Sequence, residues 1–169
     1  MISDRTLVLE PGIYALGGTT KVIDPNSGEL LATGKETGLC INGGTFVAEG
    51  VMLYITDSLE GDYGAVSIQG GTHVSVRITE YQNEESVYKG MVIFQDRANT
   101  EESYVTGSTE IFLEGTLYFK YANFRVGGDG LQAGTQLIAG TVEVDGGSYV
   151  IINYDGRNWT VGYTSFIVE

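Results

Sequence analysis

Apolar and polar residues alternate along this chain with a period of two and nowhere settle into a helical period. His73-Val74-Ser75-Val76-Arg77-Ile78 alternates strictly, as does Thr141-Val142-Glu143-Val144-Asp145, the pattern of strands with one buried face. Glycine punctuates these strands in a repeating way. Gly44-Thr45-Phe46-Val47-Ala48, then Glu49-Gly50, then Val51-Met52-Leu53-Tyr54-Ile55, is echoed by Gly107-Ser108-Thr109-Glu110-Ile111-Phe112-Leu113, then Glu114-Gly115, then Thr116-Leu117-Tyr118-Phe119. A unit of this kind cannot bury its apolar face alone and does so by stacking on its neighbours. The pattern predicts an all-β chain: a right-handed parallel β-helix, or β-solenoid, with irregular coils and loop excursions, forming one domain over residues 1–169.

Four strands follow a single glycine, Gly50, Gly90, Gly115 and Gly134, and these markers lie 40, 25 and 19 residues apart. Spacings of 19 and 25 suit one coil, and 40 suits two coils or one with a long insertion. Residues 80–89 lack alternation and read as an excursion from the stack, and 98–106 as a second. The second and fourth residues after each glycine are expected to point inward: Met52 and Tyr54, Val92 and Phe94, Leu117 and Phe119, Gln136 and Ile138. Gln136 fits that row poorly, so the last coil is expected to be shifted by one residue. The intervening Leu53, Ile93, Tyr118 and Leu137 are apolar too, which calls for cover on the outer side of this wall. Glycine pairs at 43–44, 70–71, 127–128 and 146–147 mark corners.

Composition sharpens this picture mainly by exclusion. A chain of 169 residues with 42% hydrophobic content can bury a sizeable core, and 25 Gly against 2 Pro rule out collagen-like or proline-rich segments. The formal charge of −13 repels polyanions, so nucleic acid is not an expected partner. No apolar run approaches the roughly 20 residues of a membrane span, and neither end resembles a signal peptide. The chain begins almost directly in a strand and ends on one, and so reads as a domain excised from a longer surface protein. Cys40, between Leu39 and Ile41, reads as a small core residue.

Few residues offer chemistry. Gly128-Asp129-Gly130-Leu131-Gln132-Ala133 has the letters of a dinucleotide fingerprint, but strand rather than helix follows it, and the calcium nonapeptide it also resembles lacks its aspartate at Gln132. His73 is the only histidine, which leaves little from which to build a metal site or a catalytic triad. No cofactor or metal is expected. Phe94-Gln95-Asp96-Arg97, followed by Asn99, places a carboxylate and a guanidinium at the end of an apolar strand. Asp96 and Arg97 are the candidate catalytic pair if the chain is a carbohydrate-active enzyme. The competing reading is a corner held by hydrogen bonds and a charge pair. Tyr154 and Trp159 are candidate sugar-stacking residues, or caps on the last coil.

Leu9-Glu10-Pro11-Gly12-Ile13-Tyr14, Gly50-Val51-Met52-Leu53-Tyr54, Gly90 through Asn99 and Gly115-Thr116-Leu117-Tyr118-Phe119 follow one another in a recognisable order. They resemble the C-terminal β-helical domain of bacterial TadG-type pilus-assembly and related cell-surface proteins, with Phe94-Gln95-Asp96-Arg97-x-Asn99 the nearest match to that family's F-Q-D-R-x-N. The resemblance spans roughly residues 7–155, and departs from the family at Lys120, where a proline is usual, and in the acidic loop around Glu80 to Glu85. It implies an extracellular or cell-surface module of envelope or pilus function, with no established enzyme activity. The expected function is therefore a non-catalytic structural or adhesive module that contacts protein or glycan, with Gln95, Asp96, Arg97, Asn99, Tyr154 and Trp159 as candidate binding residues. The alternatives are a polysaccharide lyase or hydrolase, or a self-associating β-helix filament.

Overall fold

The computed structural model describes residues 5–18, 37–58, 61–69, 74–107, 111–128, 131–133, 136–145 and 150–152. Among them the regular elements are all strands. In chain order these are β1 (Thr6–Leu9), β2 (Gly12–Gly17), β3 (Thr37–Ile41), β4 (Gly44–Ala48), β5 (Val51–Thr56), β6 (Ala65–Gln69) and β7 (Val74–Thr79). They continue with β8 (Met91–Gln95), β9 (Ser103–Gly107), β10 (Ile111–Glu114), β11 (Thr116–Gly128), β12 (Leu131–Ala133), β13 (Gln136–Val144) and β14 (Val150–Ile152). No described helix is long and apolar enough to cross a membrane.

Among the described residues every strand-to-strand pairing is parallel, as expected, and the one antiparallel contact is an isolated bridge between Asp57 and Tyr63. Strands pair mostly with the strand three places on. One sheet runs β1-β4-β7-β10-β12-β14. The other has eight strands and runs β2-β5-β8-β11-β9-β6-β3, with β13 also on β11. Strand β11 joins its two arms: Thr116–Tyr118 pair with β8 and Phe124–Gly128 with β9. β13 follows β11 round the same bend, with a register shift between Phe119 and Asn123. The sheet therefore folds back into a nearly closed, barrel-like wall, and its end strands β2 and β3 approach each other.

Period-two alternation becomes a set of apolar rows running across the strands. In the first sheet Leu7, Phe46, Val76 and Ile111 share one register position and Leu9, Ala48, Ile78 and Leu113 another. From β4 through β10 all of these are in the core, and each large side chain removed from water contributes about 1.5–3 kcal/mol. The bent sheet closes the same core with Leu53, Ile55, Ile93, Leu117 and Phe119 from one arm and Val66, Ile68, Val105, Phe124 and Val126 from the other. The sequence echo between Gly44–Ile55 and Gly107–Phe119 falls on equivalent pairs, β4 with β5 and β10 with β11, since β4-β7-β10 and β5-β8-β11 are both continuous ladders.

Several expectations change at residue level. β5 pairs directly with β8, so the 40-residue spacing is one step of the repeat with a long insertion, and that insertion is the excursion at 80–89. The excursion at 98–106 is shorter than expected, because Ser103–Gly107 form β9. Leu53 and Ile93 lie in the core and their neighbours Tyr54 and Phe94 on the outer face, the reverse of the expected assignment, and Ile138 joins that outer row while Leu137 packs on the core. Leu117, Phe119 and Val92 are in the core as expected, and Met52 is buried. The cause is an irregularity in β8: Thr116 pairs with Met91 but Leu117 pairs with Ile93, leaving Val92 over. The shift expected in the last step is present, since Gln136 sits beside Thr116 and Leu137 beside Leu117. Gly44 and Gly128 turn with positive φ; the pairs at 70–71 and 146–147 lie outside the described residues.

Candidate functional site

The most informative polar cluster lies where β8 ends and the chain turns toward β9. Gln95 shares its register position with Ile55 and Leu16, so the sequence places an amide in a row that is otherwise aliphatic. Its side chain is fully buried, and an unpartnered amide there would cost several kcal/mol. It is not unpartnered. Nε2 donates to the carbonyls of Asn99 at 3.3 Å and Glu101 at 3.0 Å, and Oε1 accepts from the Ser103 hydroxyl at 2.7 Å.

Two more side chains extend this cluster into the neighbouring strand. The Ser103 hydroxyl accepts the Val66 N–H at 2.9 Å, and Asn99 Nδ2 donates to the Gly64 carbonyl at 2.9 Å while its Oδ1 accepts the Glu101 N–H at 2.9 Å. Gln95, Asn99 and Ser103 are all buried. Together they tie the end of β8, the 96–102 turn and the entry to β6. No buried side-chain nitrogen or oxygen among the described residues lacks a partner.

Asp96 is the outer member of the turn. Its N–H donates to the Ile55 carbonyl at 2.9 Å, its Oδ1 accepts the Ala98 N–H at 2.8 Å, and its carbonyl accepts the Asn99 N–H at 3.0 Å, the geometry by which aspartate closes a turn on its own backbone. The Tyr54 hydroxyl donates to Asp96 Oδ2. That bond, followed by burial, raises the Tyr54 phenol above its ordinary range. Tyr63 is raised too, by burial first and then by the charges of Asp96 and Asp57. Arg97 is exposed and makes no ion pair among the described residues, so the corner is held by hydrogen bonds and not by the expected Asp96–Arg97 charge pair.

Beside the turn, on the outer face of the same arm, stands an aromatic row. Tyr54, Phe94 and Tyr118 occupy one register position on β5, β8 and β11. Phe94 stacks on Tyr118 with centroids 4.6 Å apart and planes 1° from parallel, and meets Tyr54 edge-on at 5.6 Å. Tyr88, from the 80–89 excursion, packs edge-on against Phe94 at 5.9 Å, so the outer cover that the apolar wall requires comes in part from that segment. The sequence reading missed this row as a unit. Its signal was an aromatic four residues after both Gly50 and Gly90, displaced to three after Gly115 by the β8 irregularity.

The remaining candidates separate cleanly. Cys40 is half-buried on the outer side of β3, in register with Ser67, while its neighbours Leu39 and Ile41 face the core. This corrects its expected place in the core. Burial pushes its thiol up, against hydrogen bonds with Ser67 and Thr37, which keeps it in the unreactive thiol form. The stretch after Gly128 continues as strand β12 and not as a helix, as the argument against a dinucleotide site requires. His73, Tyr154 and Trp159 lie outside the described residues. No family model, curated protein or solved structure matches the chain.

Proposed function

We propose that this chain is a right-handed parallel β-helix serving as a non-catalytic structural or adhesive module of a bacterial cell-envelope or pilus-associated protein, placed outside the cytoplasm. Ladders that rejoin the strand three places on support the coiled reading, and the strong preference of parallel crossovers for the right hand supports its sense. The observation that carries the functional reading is the commitment of the Gln95-Asp96-Asn99 group to the scaffold: its side chains bond the backbone of Gly64, Ala98, Asn99 and Glu101. A catalytic carboxylate must be free to exchange protons with a substrate, whereas Asp96 is spent on Ala98 and Tyr54. The contact surface is the acidic 80–89 segment that covers the aromatic row, where Val87 and Tyr88 are exposed, and its partner is protein or glycan at the cell surface. Affinity there comes from aromatic area, while the net negative field discourages polyanions.

Asp96→Asn tests this directly. An amide still accepts from Ala98 N–H, so the variant is expected to fold with a stability loss of about 1 kcal/mol and to match the wild type in a polysaccharide turnover screen in which neither releases product. Wild-type turnover that Asp96→Asn abolishes while the fold stays intact would instead establish the lyase or hydrolase reading.

A further inference from the structure

We propose that Asn42 is a site of spontaneous covalent modification, at which the folded chain converts its own asparagine to isoaspartate and aspartate through a cyclic imide. Its chemistry does not depend on the role of the Gln95 corner or of the 80–89 segment. Asn42 and Gly43 form the two-residue corner between β3 and β4, and both are exposed. Among the described residues neither the Asn42 amide nor the Gly43 N–H takes part in a hydrogen bond. A Cβ at Gly43 would meet nothing within 4 Å, so the approach to that nitrogen is open, and glycine lets the backbone rotate into the geometry that closes the ring. The other described asparagines lack this combination. Asn99 is buried, with Nδ2 on the Gly64 carbonyl and Oδ1 on the Glu101 N–H, both at 2.9 Å. Asn123 engages its amide with Glu102, Glu143 and the Thr141 hydroxyl, and Asn83 with the Tyr81 hydroxyl and the Glu85 N–H. Each of these three is followed by a residue with a side chain, Thr100, Phe124 or Glu84, which crowds the attacking nitrogen.

The Gly43 nitrogen, deprotonated by hydroxide, attacks Cγ of Asn42. The N–Cγ bond forms, the Cγ–Nδ2 bond breaks, and Nδ2 takes a proton back from water and leaves as ammonia. Water then opens the imide at either carbonyl carbon. Addition at Cγ restores the main chain and gives aspartate. Addition at the main-chain carbonyl carbon breaks the original peptide bond and leaves the chain running through Cβ and Cγ, as isoaspartate. Nothing is oxidised or reduced, and water is the only co-reactant. The two products differ in what they do to the fold. Aspartate adds one exposed negative charge to a chain of charge −13. Isoaspartate adds the same charge and also inserts a methylene into the main chain just before Gly44, a residue with little latitude. Gly44 turns with φ of +75°, a Cβ there would lie 2.4 Å from the Arg5 carbonyl oxygen, and that same oxygen accepts the Thr45 N–H at 2.9 Å. Isoaspartate therefore pulls the start of β4 out of line with the residue that leads into β1.

Incubation of the full folded chain in mildly alkaline buffer, with peptide mapping by mass spectrometry over time, tests the proposal. Isoaspartate in the same peptides is counted by enzymatic methylation of its free α-carboxylate. Asn42 is expected to lose its amide before any other asparagine, with isoaspartate among the products and a rate that rises with pH. Gly43→Ala, whose added methyl enters open space, should slow the conversion at least about tenfold while leaving the urea midpoint unchanged, and Asn42→Gln should abolish it. The isoaspartate form, separated by ion exchange, should unfold at lower urea than the fresh chain, whereas Asn42→Asp should match the fresh chain. A folded chain that keeps Asn42 intact while the urea-unfolded chain converts it, earlier loss at Asn83, Asn99 or Asn123, or a Gly43→Ala variant that converts at the wild-type rate overturns the proposal. An isoaspartate form with the fresh chain's urea midpoint overturns the effect assigned to it at β4.

Discussion

Replacing Gln95 with methionine keeps the volume of the side chain and removes its hydrogen bonding, so it isolates what the buried amide contributes. Three partners are stripped at once: the Asn99 and Glu101 carbonyls lose a donor and the Ser103 hydroxyl loses its acceptor. The bonds to Asn99 and Ser103 are buried, and the one to Glu101 is partly open to water. A buried polar group left without a partner costs about 1–3 kcal/mol, so two of them cost about 2–6 kcal/mol, offset by roughly 1 kcal/mol from placing an apolar group among Ile55 and its neighbours. A net loss of about 3 kcal/mol follows, or roughly 6–12 °C in Tm for a chain of this size. Urea unfolding followed by circular dichroism reads this as a lowered midpoint at constant m. Ser103→Ala removes the other half of the same bond, so the double variant should fall short of the summed single losses by about 1 kcal/mol. Arg97→Ala, an exposed residue two positions away, should stay within about 0.5 kcal/mol of wild type. A loss below about 1 kcal/mol for Gln95→Met would refute the view that this network holds the corner.

Two further outcomes follow from the same contacts. Gly64→Ala should destabilise by about 3 kcal/mol or more, because a Cβ there would come within 2.1 Å of the Gly38 nitrogen and 2.7 Å of the Gly18 carbonyl oxygen. Gly43→Ala, where a Cβ meets nothing within 4 Å, serves as the tolerated control, and equal melting temperatures for the two variants would contradict the close approach of these backbones. Stability should decline with alkaline pH: Tyr54 has a folded-state value raised by Asp96, so its contribution is complete below the unfolded phenol's value of about 10 and is lost as pH rises through the folded one. Tyr54→Phe should flatten that decline in urea melts across the alkaline range, and an unchanged slope would show that the hydroxyl is not bound to Asp96 in solution.

How much of this was legible in the sequence depends on which link is asked about. Strand identity was legible, because alternation and glycine punctuation act locally. Glycine also marked the entry to the central strands correctly: Gly50 and Gly90 turn with φ of +68° and +83° just before β5 and β8. Which face of each strand points inward was not legible from a fixed offset. The core residues are Leu53, Ile93 and Leu137 three places after their glycines but Leu117 two places after Gly115; Val92, left over between β8 and β11, makes the first difference, and the pairing of Gln136, two after Gly134, with Thr116, one after Gly115, makes the second. Alternation could not arbitrate, because Tyr88 covers the outer face at Phe94 and both faces of that arm are apolar. The candidate site was legible as a string of residues, Gln95 to Asn99, and as a corner held by hydrogen bonds, but the charge pair expected there is not among its bonds and its distant partners could not be read. Its decisive partners, Ser103, Val66 and Gly64, adjoin it only once the parallel strands have paired.

A stack of parallel strands with aliphatic rows has an inherent ambiguity, since sliding one strand by two residues exchanges one apolar neighbour for another at little cost. The Gln95 corner removes that ambiguity where it would do most harm. Were β8 to slip by two residues against β5, the amide would leave the position from which it reaches Asn99, Glu101 and Ser103, and Ser103 would draw its bond to Val66 N–H out of line. A slip by one would turn Gln95 outward and bring Asp96, a charge, into the interior, which costs more again. The bonds run from β8 through the turn to β6 and β9, so pinning one strand pins the register of both arms of the bent sheet. A polar residue in an apolar row is therefore what a scaffold of this kind requires for a unique alignment. The sequence feature that looked most like catalytic machinery is explained by the same bonds that fix how the strands stack.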